Sequence, residues 1–93
     1  MPQISSKTFN IPFSGGAAIV VCLFTGYAGT NKINGSYSIQ YNADGTTVAF
    51  DGRGDLTLSV SVNNGVMTAI LSIAPGSRIT DSRCCIIPGD PFA

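Results

Sequence analysis

The stretch that decides the fold runs from Leu56 to Ile73 and reads LTLSVSVNNGVMTAILSI. In its first half, apolar side chains alternate with serine and threonine, the period of two that is typical of a half-buried β-strand. Asn64-Gly65 follows, and this dipeptide favours a two-residue type I′ turn because both central positions of that turn need a positive φ. The stretch therefore predicts a β-hairpin.

The register of this hairpin can be tested against its own hydrophobic pattern. With a two-residue turn, every pair on one face is apolar: Val62–Met67, Val60–Ala69, Leu58–Leu71 and Leu56–Ile73. The other face pairs Ser61 with Thr68 and Thr57 with Ser72, and only Ile70 departs from its polar character. A three-residue loop would mix the two faces, so we predict the two-residue turn.

A second turn dipeptide, Asp44-Gly45, lies between Tyr37–Ala43 and Thr46–Asp51 and predicts a second hairpin. The same two-residue rule gives its pairs, which are Tyr41–Val48 and Ile39–Phe50 on one face and Asn42–Thr47 and Ser38–Asp51 on the other. Leu56 follows Phe50 after a short Gly-rich link. The two hairpins are therefore predicted to form one continuous antiparallel meander of four strands.

The remaining strands are predicted from shorter patterns. Phe9, Ile11 and Phe13 alternate with polar residues and Pro12, and because proline cannot donate to a ladder this strand is expected at an edge. The apolar run Ala17–Phe24 predicts a buried central strand, and Arg78–Ile87 a final one. About seven short strands result. We predict an all-β protein, a small antiparallel β-sandwich or barrel, with a single domain over residues 1–93.

Composition narrows the function classes. The 93 residues carry five basic and five acidic side chains, so the formal net charge is zero and no positive field attracts nucleic acid. Histidine and glutamate are both absent, which removes Ser-His-Asp and Cys-His devices, and we expect no enzyme and no cofactor. The longest apolar run is too short for membrane insertion. We recognise no N-terminal signal peptide in the sequence. The location that we consider for the protein is the surface of a virion.

The three cysteines predict reduced, mostly buried thiols. Cys84 and Cys85 are adjacent, so their Cα atoms lie about 3.8 Å apart, whereas unstrained disulfides need about 4.4–6.8 Å. Cys22 lies within the predicted central strand. Two thiolates without further ligands make a poor metal site, so we expect no metal here.

Six residues are candidates for binding a ligand. Three lie in Thr25–Gly35, the longest irregular stretch and therefore the expected functional loop: Tyr27, Asn31 and Lys32. Three lie in the link after the second hairpin: Asp51, Arg53 and Asp55. Asp51 and Asp55 are only a weak indication of a cation-binding site. Arg53-Gly54-Asp55 spells the tripeptide that integrins read, but it is also good turn chemistry.

The unusual feature is the polar face of the predicted meander, on which hydroxyl and amide side chains such as Ser38, Gln40 and Ser59 predominate. Its strands Leu56–Val62 and Val66–Ile73 carry no charge. Monomeric proteins normally protect β-surfaces and edges with lysine or glutamate. The favoured interpretation is a non-enzymatic structural or adhesive β-module of a homo-oligomer or of an assembly with other structural subunits, for instance a phage or virion surface component. The alternative is a monomeric module that binds a glycan, cell-surface receptor or small ligand through the candidate loops.

Overall fold

The computed structural model of the chain describes residues 5–51 and 54–89, without the side chain of Asp51. Seven strands form within these ranges: β1 (Ser5–Pro12), β2 (Ala18–Ala28), β3 (Asn31–Tyr41), β4 (Thr47–Asp51), β5 (Leu56–Asn63), β6 (Val66–Ile73) and β7 (Ser77–Pro88). All neighbouring strands are antiparallel, in a three-stranded sheet of order β1-β6-β5 and a four-stranded sheet of order β4-β3-β2-β7. The predicted all-β sandwich of seven strands is confirmed. Within the described ranges no helix is long and apolar enough to cross a membrane.

The core lies between the two sheets. The inward side chains of β6 are almost fully buried, and they pack against the inward side chains of β2, such as Val20 and Cys22. β2 lies between β3 and β7, so the predicted central strand is confirmed, and β1 lies at an edge as Pro12 indicated. Each sheet therefore has one buried face and one outer face.

The first hairpin has the predicted register. Val62 pairs with Met67, and the alternation continues without a shift to Leu56 and Ile73. Asn64 has a φ of 53° and Gly65 a φ of 76°, the two positive values that a type I′ turn requires.

The prediction of one four-stranded meander is wrong. β4 ends at Asp51 and β5 begins at Leu56, but β4 pairs only with β3, and β5 pairs only with β6. In a flat meander nothing would cover the apolar face that β5 and β6 share. In the sandwich, Ile39 and Tyr41 of β3 lie in one core cluster with Met67 and Ala69 of β6.

The predicted register of the second hairpin is also wrong by one residue. Tyr41 pairs with Thr47 and Ile39 with Ala49, and a bulge then restores the predicted pair of Ser38 with Asp51. The Asn42 amide donates to the Thr46 carbonyl at 2.8 Å and the Gly45 amide donates to the Asn42 carbonyl at 2.9 Å, so a three-residue loop connects the two strands.

The Asp44 side chain holds this loop. Its Oδ1 accepts hydrogen bonds from the Thr46 amide at 3.0 Å and from the Thr46 hydroxyl at 2.6 Å. These bonds hold the pKa of the Asp44 carboxyl below its usual range, with the hydroxyl as the main cause. Gly45, with a φ of 90°, completes a loop that is typical of three-residue hairpins. As a result Val48 and Phe50 lie on the outer side of their sheet.

The expected loop over Thr25–Gly35 is not irregular. β2 continues to Ala28, β3 begins at Asn31, and the two-residue turn between them has Gly29 at a φ of 63°. Glycine occupies two of its inward positions, Gly26 and Gly35, so its side chains show no hydrophobic alternation. The backbone ladder and a bond from the Gly29 amide to the Gly76 carbonyl at 3.0 Å hold it instead.

Candidate functional site

The outer face of the three-stranded sheet is a continuous uncharged surface. Register and alternation place four residues of each strand on it, and none of them is charged. We call it the hydroxyl face; it consists of Ser6, Thr8, Asn10, Pro12, Thr57, Ser59, Ser61, Asn63, Val66, Thr68, Ile70 and Ser72. Lys7 pairs with Leu71 and points to the opposite side of the sheet.

The hydroxyl face is regular and largely open. Neither ladder that builds it contains a bulge, so its rows run straight across three strands. In one row the Thr68 hydroxyl donates to Asn10 Oδ1 at 2.9 Å. Ile70 lies in the middle, between Thr8 and Ser59, and is 36% exposed. The surface is thus regular, neutral and rich in groups that both donate and accept hydrogen bonds.

Sequence reasoning found part of this face and missed the rest. The β5 and β6 members were predicted to share a polar face, and their register confirms it. Ser38 and Gln40 were expected beside them but belong to β3, in the other sheet. The β1 members were missed because nothing in the sequence shows that β1 pairs with β6 rather than with β2.

The outer face of the four-stranded sheet has a different character. It exposes large apolar side chains from the end nearest Pro88 to the middle of β2: Val48 is 61% exposed, Ile87 52%, Phe50 43% and Leu23, in the middle, 54%. Val48, Gln40, Ile19 and Ile87 form one row across all four strands. The predicted register of the second hairpin placed Val48 and Phe50 in the core, which is why the sequence did not indicate this patch.

Two of the six predicted ligand residues are direct neighbours. Tyr27 pairs with Lys32 on one side and with Arg78 on the other, which makes a row across three strands at the opposite end of the same outer face. The Arg78 guanidinium carbon lies 4.7 Å from the centre of the Tyr27 ring, a cation–π contact. One face of the ring is therefore already covered.

The other four candidates are not part of this row. Asn31 is exposed and, by alternation, lies on the side of β3 opposite to Lys32. Asp55 precedes β5, where its carbonyl accepts from the Ala74 amide at 2.9 Å, and it lines an open depression with Thr57, Ser72 and Pro75. The side chain of Asp51 and all of Arg53 lie outside the described residues.

Cys22 and Cys84 form an inward-facing pair. They are directly opposite each other on β2 and β7, and all three cysteines are free thiols. A hydrogen bond with Cys84 and burial both raise the pKa of the Cys22 thiol, while the same hydrogen bond lowers the pKa of Cys84. Cys85 is exposed on the outer face. Over residues 5–51 and 54–89 no group of three or more potential ligand side chains is placed to hold a metal ion.

Comparison with known proteins assigns no family to the chain. It matches no protein-family model, and neither a curated protein nor a solved structure is significantly similar to it.

Proposed function

We propose that the chain is a non-enzymatic structural or adhesive module whose hydroxyl face packs against another copy in an oligomeric assembly. The observation that carries the proposal is the hydroxyl face itself, three strands wide and without a charged side chain. A phage or virion surface is one setting in which such a module works.

The chemistry of the face suits burial against a like surface. Serine and threonine lose less side-chain entropy than lysine or glutamate when they are covered. Hydroxyls donate and accept, so two such faces can satisfy each other's hydrogen bonds in more than one register. Burying them requires no charge to be desolvated, whereas a buried unpaired charge is expensive.

The area of the hydroxyl face determines how strongly two copies are expected to associate. Three strands of eight residues cover about 400 Å², at about 3.4 Å per residue and about 4.8 Å between strands. A standard stable interface takes about 800 Å² from each partner. We therefore expect weak association of an isolated pair and stronger association where many copies are held together.

Ile70 is the position at which to test this proposal, because it lies on the central strand in the middle of the face. Ile70→Lys would force a lysine to be desolvated in the contact and should abolish that contact. Ile70→Thr keeps a neutral β-branched side chain and is the matched control. Thr30→Lys adds the same charge at the exposed tip of the β2–β3 hairpin. The measurement is mass by light scattering from low micromolar to millimolar concentration.

The proposal predicts that wild type, Ile70→Thr and Thr30→Lys gain more mass with concentration than Ile70→Lys, which loses the contact through the hydroxyl face. A wild type that is monomeric at every concentration would overturn the assembly function. Association of Ile70→Lys that is as strong as that of wild type would show that the contact does not involve the hydroxyl face.

One observation favours the alternative, a monomeric ligand-binding module. The row Lys32–Tyr27–Arg78 gathers two cations around an aromatic ring on one face. A glycan that stacked on Tyr27 would displace the Arg78 guanidinium from it. If the wild type is monomeric, titration of Tyr27→Ala and wild type with sialylated and neutral oligosaccharides, followed by NMR shifts, tests this second candidate.

A further inference from the structure

The sandwich has four edge strands, and three of them carry features that discourage pairing with another chain. β1 contains Lys7 and ends in Pro12. β4 is only five residues long and contains a bulge, and β7 contains a bulge and the charges of Arg78, Asp81 and Arg83. Bulges, prolines, charges and short length are the devices that natural proteins use to protect sheet edges. These three edges are protected.

β5 has none of these devices. Its eight residues, LTLSVSVN, include no charge and no proline, and its ladder with β6 runs without a bulge. Among the described residues, none of the backbone hydrogen bonds made by turns and loops reaches residues 57–62. The edge is long, straight and open.

The burial pattern of β5 supports the same conclusion. On β6 the inward residues Met67, Ala69 and Leu71 are completely buried. The residues paired with them on β5, Val62, Val60 and Leu58, are only half-buried although they point to the same side. A further strand alongside β5 would cover their remaining apolar surface.

The main chain of β5 is positioned to accept that strand. Asn63 and Val66 close a two-residue turn and form a hydrogen-bonded pair. Hydrogen-bonded and non-hydrogen-bonded pairs alternate in an antiparallel ladder. The amides and carbonyls of Leu58, Val60 and Val62 are therefore directed away from β6, towards the open edge.

We propose that β5 pairs antiparallel with β5 of a second copy. The pairing of Ser59 with Ser59 of the second copy sets Thr57 against Ser61 on the outer side and Leu58 against Val60 on the inner side. Apolar residues then meet apolar residues, and hydroxyls meet hydroxyls. A slip by one residue would mix the two sides, so the pattern restricts the register.

This pairing rests on the proposed function and would extend it. Two three-stranded sheets would join into one six-stranded sheet, and the two hydroxyl faces would become one surface. Its area of about 800 Å² is that of one side of a standard stable interface. The single face is too small for a stable contact, and the joined face is large enough.

The test is Val60→Pro. Proline removes the Val60 amide that points to the open edge and leaves the ladder with β6 intact, because edge strands tolerate proline there. Val60→Thr keeps the amide and is the matched control. Val60→Lys, with an inward-pointing lysine at the edge, is a second blocking variant in case Val60→Pro does not fold. All three leave the hydroxyl face unchanged.

The readouts are dimer mass by light scattering and protection of the Val60 amide from hydrogen exchange. In wild type and Val60→Thr this amide should be protected about tenfold more at millimolar than at low micromolar concentration. Val60→Pro and Val60→Lys should both lower the fraction of β5-paired dimer at least about tenfold.

An amide that exchanges equally fast at all concentrations would overturn β5 pairing, even if the wild type associates and Ile70→Lys abolishes that association. In that case the proposed function stands without the edge contact. Protection of the Val60 amide that persists in Ile70→Lys but is lost in Val60→Lys supports edge pairing. If Ile70→Lys also associates as strongly as wild type, the contact through the hydroxyl face is removed.

Discussion

Gly26 shows how strongly a single residue can depend on the tertiary structure. The register of β2 with β7 shifts between Thr25 and Gly26, and the extra residue, Thr80, donates through its hydroxyl to the Thr25 carbonyl at 3.1 Å. The shift brings the β7 backbone against Gly26. A Cβ at this position would overlap the Arg78 carbonyl oxygen and lie 3.2 Å from the Ile79 Cα. Only glycine fits without moving the strand.

We therefore expect Gly26→Ala to destabilise the protein by more than about 2 kcal/mol, because backbone cannot move aside as a flexible side chain can. Gly54→Ala is the control, since a Cβ there meets no atom within 4 Å. It should change stability by less than about 0.5 kcal/mol. Urea denaturation measures both, and equal stabilities of the two variants would contradict the close approach.

The cysteines show what a residue's neighbours in sequence can and cannot predict. The apolar run around Cys22 predicted its burial, and Cys22 is completely buried. Its position opposite Cys84 was not predictable, because it depends on β2 pairing with β7, which are far apart in the chain. Gly26 could not be identified for the same reason.

The three thiols should differ widely in reactivity. Burial and a raised pKa keep Cys22 protonated and inaccessible, so an alkylating reagent at neutral pH should modify exposed Cys85 at least about tenfold faster. Mass spectrometry of the alkylated peptides gives the rates. In denaturant the difference should vanish. Labelling of Cys22 in the folded protein at the rate of Cys85 would contradict the structure.

At the scale of elements, the two hairpins separate strong from weak sequence signals. The strands on either side of Asn64-Gly65 share one unbroken apolar face, and only one register keeps that face intact. Asp44-Gly45 has a shorter second strand, and its Asp44 side chain favours a three-residue loop through bonds to Thr46. Local hydrogen bonding of this kind is not visible in hydrophobic alternation. The hairpins were predictable, but only one register was.

The Asn64-Gly65 turn gives a direct test. Gly65→Val should lower the free energy of unfolding by more than about 1 kcal/mol, because a β-branched residue resists the positive φ of 76° found there. Gly65→Asn should cost clearly less, since asparagine tolerates this conformation. Thermal denaturation compares the three proteins. Equal melting temperatures for Gly65→Val and wild type would be incompatible with the type I′ turn.

At the scale of the whole molecule, the sandwich presents two unlike outer faces, and the sequence predicted neither of them completely. Period-two alternation shows which side chains of one strand lie together, but not which strands become neighbours. The assignment of β1 to the sheet of β5 and β6 completed the hydroxyl face. The shifted register of β4 adds Val48 and Phe50 to the exposed apolar side chains of the other outer face. Apolar patches of this kind often mark contact surfaces.

The shape of the dimer separates the two proposed contacts. The molecule measures 42 × 26 × 18 Å and has a radius of gyration of 13.6 Å. In a dimer joined at β5, the centres of the two copies are separated along the 26 Å dimension. In a dimer stacked through the hydroxyl face, the centres are separated along the 18 Å dimension. By the parallel-axis relation, the radius of gyration should rise about 1.4-fold for edge pairing and about 1.2-fold for stacking. Small-angle X-ray scattering on a chromatographically isolated dimer distinguishes these values.

Ile70→Lys should leave only the 1.4-fold species, because stacking desolvates its lysine and edge pairing does not. Val60→Pro should leave only the 1.2-fold species, and a 1.4-fold dimer of Val60→Pro would place the contact at an edge other than β5.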